Sequence, residues 1–284
     1  MPHPVTIEIS DNSIEAFLAK CSKSSNDTYE SFKELLHKLE DKKKCKKARI
    51  FLGKLAEIVL KKHDPEQFSN NYHFYFENMI IDNDNKLLLL QLPSIFTPEE
   101  WSFTFYEGLA RYPLTEFQAR TVCELGCGNG WISISLARRC YPDKLYGLDI
   151  NPKAIVAAKI NLYLNALDSS GNYYVDSSGK NLLDRVEFHV SDLLTYCCEQ
   201  NILIDRVIAC IPQVLNLEIN QSLDLVSEQS SDDILYSLSN YYVKQGYIED
   251  QFGLGLIARA LEESVQVMKA SGKVIFNMGG RPGS

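Results

Sequence analysis

The stretch Glu124–Gly130, with the sequence ELGCGNG, decides the fold of this 284-residue chain. It closes an apolar segment, Thr121–Leu125, that is typical of a buried strand, and it opens a helical pattern at Trp131–Arg139. Glycines allow the backbone to turn tightly and to approach a ligand without a Cβ atom in the way. The spacing is G-x-G-x-G behind an acidic residue, and it predicts a ligand site where the strand ends.

Downstream of this loop, strand and helix patterns alternate, which predicts a parallel α/β sheet. Asp149 ends the second strand, where a carboxylate can accept hydrogen bonds from a ribose diol. Ser191 and Asp192 follow the third strand, where their side chains could form hydrogen bonds with the amino group of an adenine ring. The predicted strands are Thr121–Leu125, Lys144–Asp149, Arg185–Val190, Asp205–Cys210 and Lys273–Met278; the predicted helices are Trp131–Arg139, Pro152–Leu167 and Leu254–Met268.

The region before the predicted sheet has a different hydrophobic pattern. From Asp11 to about His63, apolar residues recur at spacings of three and four, which indicates amphipathic helices. Tyr72–Phe76 and Lys86–Leu92 are predicted to be short strands around a polar turn. We therefore divide the chain into a mainly helical cap, residues 1–92, and an α/β domain, residues 93–284.

Composition and charge narrow the function classes. The chain has 29 basic and 37 acidic residues, a formal net charge of -8, so nucleic acid is disfavoured as a partner. The run Lys42–Lys47 has no interleaved aromatic residues, and we interpret it as a solvated turn. No apolar run approaches the roughly 18 residues that a membrane span needs, and the first residues lack a secretory signal. The eight cysteines form neither CxxC pairs nor a Cys/His cluster, so we expect free thiols, no metal and a cytoplasmic location.

The glycine loop, together with the acid that ends the second strand, resembles the class I S-adenosylmethionine-dependent methyltransferases. The resemblance implies a Rossmann-like sheet in which the loop holds the methionine part of the cofactor, S-adenosylmethionine, and Asp149 holds its ribose. NAD is the alternative cofactor, but the third glycine position and a hydride-transfer constellation are missing. The residues that the resemblance assigns to the cofactor are Glu124, Gly126, Cys127, Gly128, Asn129, Gly130, Asp149, Ile150, Asn151, Ser191, Asp192, Leu193 and Cys210.

The end of the fourth strand bears on the substrate. Amino-methylating members of this superfamily carry Asn/Asp-Pro-Pro-aromatic there, whereas this chain has Cys210-Ile211-Pro212-Gln213. The proline is kept, but the polar acceptor at the head of the turn is absent. This departure weighs against a glutamine or nucleobase N-methyltransferase, although the general arrangement resembles the glutamine-methylating release-factor enzymes.

Longer strings resemble the plant-type methionine S-methyltransferases. They are Pro93–Gly108, Glu124–Ser133, Gly147–Pro152, Asn161–Asp168, Leu183–Phe188, Cys210–Gln213, Glu249–Ala260 and Phe276–Gly283. The resemblance implies transfer of a methyl group from S-adenosylmethionine to the sulfur of L-methionine, which gives S-methylmethionine and S-adenosylhomocysteine. A SAM-binding regulatory fragment without turnover is a further alternative.

Family members continue for several hundred residues, and the class I sheet normally has two more strands than this sequence supplies. We therefore expect a sheet that stops after its fifth strand. The apolar edge left at Val274–Phe276 would favour a homo-oligomer or a partner along that edge.

Methylation of a thioether needs no general base, because the methionine sulfur carries no proton. A cation shared between two sulfurs is instead stabilised by aromatic faces. The catalytic candidates are Gln213, Tyr242 and Trp101, and the substrate-binding candidates are Phe105, Tyr106, Pro212, Gln213, Asp250 and Arg281. Arg281 is expected to clamp the substrate carboxylate, and Asp250 and Gln213 to accept from its ammonium. The alternatives are a frayed terminal side chain for Arg281 and a helix N-cap for Asp250.

Overall fold

The computed structural model describes residues 9–61, 71–82, 85–213, 241–242 and 244–279. The helices in this part of the chain are α1 (Asp11–Cys21), α2 (Ser25–Glu40), α3 (Cys45–Leu60), α4 (Glu100–Ala110), α5 (Trp131–Cys140), α6 (Pro152–Ala166), α7 (Leu182–Arg185), α8 (Thr195–Glu199) and α9 (Gly255–Val267). The strands are β1 (Tyr75–Asp82), β2 (Asn85–Gln91), β3 (Thr121–Leu125), β4 (Lys144–Asp149), β5 (Val186–Val190), β6 (Ile204–Ala209) and β7 (Met268–Phe276). Short 3₁₀ turns occur at Leu114–Glu116 and Ile248–Phe252.

Five parallel strands form the main sheet in the order β5-β4-β3-β6-β7. The chain starts this sheet at its centre, with β3, then adds strands on one side and afterwards on the other. The strand order reverses beside β3, and such a reversal opens a crevice at the carboxyl ends of the strands. The predicted α/β class and Rossmann-like sheet are confirmed.

Helix α6 is buried on two sides, and its apolar composition reflects this. Ala157 and Ile160 pack into a core formed with α1, α2, α3 and the β1–β2 hairpin. Ala158 and Leu162 pack into a second core formed with β3, β4 and β5. A helix that is apolar on all faces is typically buried. The helices of the predicted cap therefore pack on α6, whereas Met79, Leu87 and Leu89 of the hairpin belong to the second core.

The opposite face of the sheet is covered by α8 and α9. Leu125 and Leu148 of the strands pack there against Leu256 and Ala260 of α9. Both faces of the parallel sheet are thus shielded from water, as such sheets require. Among the helices that the structure describes, none is long and apolar enough to cross a membrane.

Two predicted boundaries moved. The first hairpin strand begins at Tyr75 rather than Tyr72 and continues to Asp82, because its alternating pattern pairs with β2 up to the turn. Strand β7 runs from Met268, directly after α9, to Phe276, whereas Lys273–Met278 was predicted. The boundary between residues 92 and 93 stays a prediction. Residues 214–240 and 243, between β6 and α9, lie outside the described residues.

Candidate functional site

A cavity of about 370 Å³ opens where the parallel strands end. Gly126 and Gly128 line it after β3, Asp149 lies at the end of β4, and Ser191 follows β5. The segment Cys210–Gln213 closes it after β6. A cavity of this size falls in the range of small-molecule sites, roughly 300–1,000 Å³. The three predicted strand ends therefore do meet around one space.

The glycine loop needs glycine for two separate reasons. Gly128 has a φ of 53°, and nothing lies within 4 Å of where its Cβ would stand, so its backbone is open to the cavity. Gly130 has a φ of 82°, and a Cβ there would lie 2.7 Å from the Phe188 ring. Gly130 therefore allows α5 to pack closely on β5, while Gly128 gives a ligand access to the backbone.

The Asp149 carboxylate organises the loop and lines the cavity at the same time. Its Oδ2 accepts a hydrogen bond of 2.9 Å from the Gly128 N–H, and its Oδ1 accepts one of 2.8 Å from the Asn151 N–H. Burial raises the pKa of Asp149, and the two backbone donors oppose that shift. A carboxylate has about four acceptor positions, so two remain for a ligand. Two acceptors side by side suit a vicinal diol.

Glu124, the acid before the loop, is buried and accepts a hydrogen bond from the Ser133 hydroxyl. Burial raises the pKa of Glu124 to about 8. Its side chain lines a small cavity of about 40 Å³, which shares Gly126, Gly128 and Trp101 with the larger cavity. An acid of this kind changes charge near neutral pH and responds to any cation placed beside it.

Aromatic side chains form one wall of the larger cavity. Trp101, Tyr241, Tyr242 and Phe96 line it, and the Phe96 and Tyr242 ring centroids are 6.4 Å apart. Burial raises the pKa of Tyr242, and the nearby Asp149 carboxylate adds to the shift. Tyr241 donates a hydrogen bond of 2.7 Å to Asp192. Phe96 was not among the predicted site residues, although it lies in the string that contains Trp101.

Other predicted cofactor residues divide between lining the cavity and supporting it. Ile150, Leu193 and Cys210 line it. Burial raises the pKa of the Cys210 thiol to about 12, so it remains a neutral, apolar wall. Cys127 lines the smaller cavity. Asp192 bonds Tyr241 and forms an ion pair of 3.0 Å with Arg259.

Asn129 and Asn151 belong to a buried amide network. Asn129 Nδ2 donates to Gln91 Oε1 at 2.9 Å, and its Oδ1 accepts from the Trp131 N–H at 3.2 Å. Asn151 Nδ2 donates to the Ser94 carbonyl at 2.6 Å. These bonds attach the glycine loop to the end of β2, and the start of α6 to the segment that follows the hairpin. The asparagine side chains thus position the site.

The predicted substrate-binding residues do not all lie at the cavity. Phe105 and Tyr106 are buried in the core, where Tyr106 packs on Trp131 with ring centroids 5.5 Å apart, and neither lines the two cavities. Arg281 lies outside the described residues. The Asp250 carboxylate accepts hydrogen bonds of 2.8–3.2 Å from the N–H groups of residues 245, 246 and 247. It therefore holds the turn before α9 together, and its substrate role stays a prediction.

Gln213 lies at the cavity with Pro212 beside it. Its Nε2 donates to the Asn277 carbonyl at 2.8 Å, and its Oε1 accepts from the Gly279 N–H at 3.2 Å. Both ends of the amide thus tie the segment after β6 to the segment after β7. A catalytic role for Gln213 stays a prediction.

Comparison with known proteins finds similar sequences over most of the chain. A family model described as a methyltransferase domain matches residues 116–229. A methionine S-methyltransferase of Arabidopsis thaliana is 49% identical over 278 residues, which are 96% of this chain and 26% of the relative. A protein described as an N5-glutamine methyltransferase of Methanocaldococcus jannaschii is 29% identical over 174 residues, 60% of this chain and 78% of that protein.

The chain thus spans about a quarter of the length of the plant relatives that it matches. Among solved structures, a 16S rRNA methyltransferase from T. thermophilus has a TM-score of 0.40 and 18% identity, with 51% of this chain and 34% of that chain covered.

Proposed function

We propose that this chain, which is 49% identical to a plant methionine S-methyltransferase, transfers the methyl group of S-adenosylmethionine to the sulfur of L-methionine. The products are S-methylmethionine and S-adenosylhomocysteine. The observation that carries the proposal is the pair of acceptor oxygens of Asp149, which lie at a cavity of suitable size beside the open backbone of Gly128. L-Methionine as the small-molecule partner is supported by the similarity to the plant methionine S-methyltransferases.

The residues present fit the cofactor. Asp149 has acceptor positions left for the ribose diol, and the loop around Gly128 leaves room for a close approach. The apolar side chains of Leu148, Ile150 and Leu193 line the cavity beside Asp149 and suit a flat adenine ring. S-adenosylmethionine, when bound, supplies a methyl group on a positively charged sulfur.

The chain's contribution to the reaction is orientation and stabilisation of positive charge. The faces of Trp101 and Tyr242 are suited to a sulfonium, because an aromatic face attracts a cation by about 0.5–2 kcal/mol. Orientation of two reactants can lower a barrier by roughly 7–11 kcal/mol in ideal cases. One sulfonium is consumed and one is formed, so no proton has to be accepted by a side chain. No histidine is among the described residues that line the cavity at the glycine loop, which agrees with a reaction that needs no general base.

The alternative is a glutamine N-methyltransferase, which the M. jannaschii relative favours. The buried Cys210 weighs against it, because a neutral thiol stands where the amino-methylating enzymes carry a strong acceptor. A protein that binds S-adenosylmethionine without turnover is the other alternative. A cytoplasmic location is proposed from the eight cysteines, all of which are free.

The experiment incubates the chain with S-adenosylmethionine and either L-methionine or a glutamine-containing peptide. We expect S-methylmethionine by mass spectrometry and no acid release in weakly buffered solution, since a thioether loses no proton. N-methylation would release one proton per turnover. Methylated peptide together with acid release would establish the alternative, and calorimetric binding of S-adenosylhomocysteine without any product would establish a binding protein.

A further inference from the structure

A separate cavity, of about 440 Å³, lies away from the candidate active site. It is enclosed by α3, β2, the C-terminal ends of α5 and α6, and the loop that contains Tyr174 and Lys180. Helix α6 runs from the candidate active site to this cavity. Asn151 at its start lines the candidate active-site cavity, and Leu164 near its end lines the separate one. The rise of about 1.5 Å per residue separates these ends by roughly 20 Å.

The lining of this separate cavity is cationic, although the net charge of the chain is -8. Five of its side chains are basic and one is acidic: Arg49, Lys86, Arg138, Lys180 and Arg185, against Asp176. Arg185 is paired with Asp176 at 2.6 Å, and Lys180 is paired with Asp143 at 3.0 Å. These two pairs leave three cations at one cavity.

Lys86 and Arg138 keep free donors at the wall. Arg138 uses one nitrogen, Nη1, to donate to the Lys86 carbonyl at 2.9 Å. Neither side chain has an ion pair with any residue that the structure describes. The remaining guanidinium donors and the Lys86 ammonium are therefore available to a ligand.

Arg49 adds a buried charge behind this wall. Only 5% of it is exposed, and its Nη2 donates to the carbonyls of Leu164 and Leu167 at 2.9 Å. Its Nε and Nη1 have no hydrogen-bond partner among the described residues, and no described carboxylate pairs with it. The C-terminus of α6 carries about half a negative charge, and the Asp168 carboxylate acts on the guanidinium electrostatically without forming an ion pair with it. Buried charges are generally paired.

We propose that this cavity binds a small molecule that joins an oxyanion, a carboxylate or a phosphate, to an apolar group. The oxyanion lies against Arg138 and Lys86, where a guanidinium fork offers two parallel donors, and the field of Arg49 favours it from behind. Leu88, Val175 and Leu182 line the same cavity and accept the apolar group. The ligand adds a negative charge beside Arg138 and Lys86, which have no ion pair with any described residue.

The test measures binding of two probes, benzoate and phenyl phosphate, by calorimetry and thermal unfolding at constant ionic strength in chloride. Together they separate a carboxylate ligand from a phosphate ligand. We expect at least one probe to bind the unmodified chain and to bind roughly tenfold more weakly to Arg138→Gln and Lys86→Gln. Arg111→Gln removes an exposed arginine outside the cavity and should leave the affinity unchanged.

Arg49→Met separates a binding role from a purely structural one. The inference predicts weaker probe binding by a variant that circular dichroism shows to be folded. A lower unfolding temperature with undiminished affinity for the probe would mean that Arg49 only caps the carbonyl groups at the C-terminus of α6. Absence of binding by both probes, or equal binding by Arg138→Gln and the unmodified chain, would overturn the proposed site. None of these measurements depends on methyl transfer, so they stand apart from the proposed function.

Discussion

At the scale of single residues, the Asp149 carboxylate combines two tasks. It holds the N–H groups of Gly128 and Asn151, and it lies at the wall of the candidate active-site cavity. Asp149→Ala removes both, and hydrogen bonds to a charged group contribute about 1.5–3 kcal/mol. We therefore expect calorimetry to show S-adenosylhomocysteine binding weakened by about that amount. Asp11→Ala, an exposed carboxylate on α1, is the matched control. Equal affinity in both variants would remove Asp149 from the site.

Glu124 makes the stability of the fold depend on pH. Burial raises the pKa of this carboxyl from 4.5 to about 8, so folding favours its neutral form. The stabilising effect is complete below about pH 4.5 and is lost as the pH rises through about 8. Glu124→Gln removes this titration. Urea unfolding at about pH 5 and pH 8.5 should show a smaller fall in stability for the variant, and an identical fall would contradict the raised pKa.

At the scale of elements, the asparagines of α6 hold the β1–β2 hairpin against the glycine loop. Asn161 accepts from the Leu90 N–H at 2.6 Å and donates to the carbonyls of Leu90 at 3.1 Å and Asn129 at 3.0 Å. Asn165 bonds both backbone groups of Leu88. Strand β2 thus finds its second set of hydrogen-bond partners on a helix instead of another strand.

Asn161→Leu keeps the size of the side chain and leaves these backbone groups unpaired in the interior. Each unpaired buried group costs about 1–3 kcal/mol, so we expect a loss of about 3 kcal/mol in the free energy of unfolding. Chemical denaturation measures it, with Asn12→Leu on the exposed face of α1 as the control. A loss no larger than that of the control would show that the network contributes little.

The same elements show what the sequence could predict. Strands β3, β4 and β6 are short apolar segments next to turn residues, and their predicted bounds agree with the structure to within a residue. The amide network could not be foreseen, because Asn161 and Leu90 are 71 residues apart and no local pattern links them. The positions of Phe96 and Ser94 at the cavity could not be foreseen for a similar reason, because both follow the hairpin in the chain and are placed by it, not by a strand of the main sheet.

Glycine spacing and the acid after β4 located the cavity, since both follow from how a strand ends. The aromatic wall was predicted only in part, because an aromatic residue near a site is equally suited to core packing. Phe105 and Tyr106 are buried in that way, whereas Trp101 on the same helix lines the cavity. Which face of α4 lines the cavity is set by its packing on Trp131, and that contact depends on the whole fold.

At the scale of the molecule, α6 is the layer that joins the helical cap to the sheet. Neighbouring alanines point in opposite directions: Ala157 lies in the cap core and Ala158 in the sheet core, and both are completely buried. If the cap were only loosely attached, one of these positions would tolerate a larger side chain. Because both cores are close-packed, neither has room for one.

Ala157→Leu and Ala158→Leu should therefore both destabilise the chain, by about 1–3 kcal/mol each, which is the usual cost of overpacking a core. Ala16→Leu on the exposed face of α1 controls for the added apolar surface. Thermal and urea unfolding provide the comparison, and a single cooperative transition in each variant indicates that cap and sheet unfold together. If Ala157→Leu left stability unchanged, or melted the cap in a separate earlier transition, the cap would be an independent unit. The hydrogen bonds of α6 to the hairpin would then position the glycine loop only while that unit stays docked.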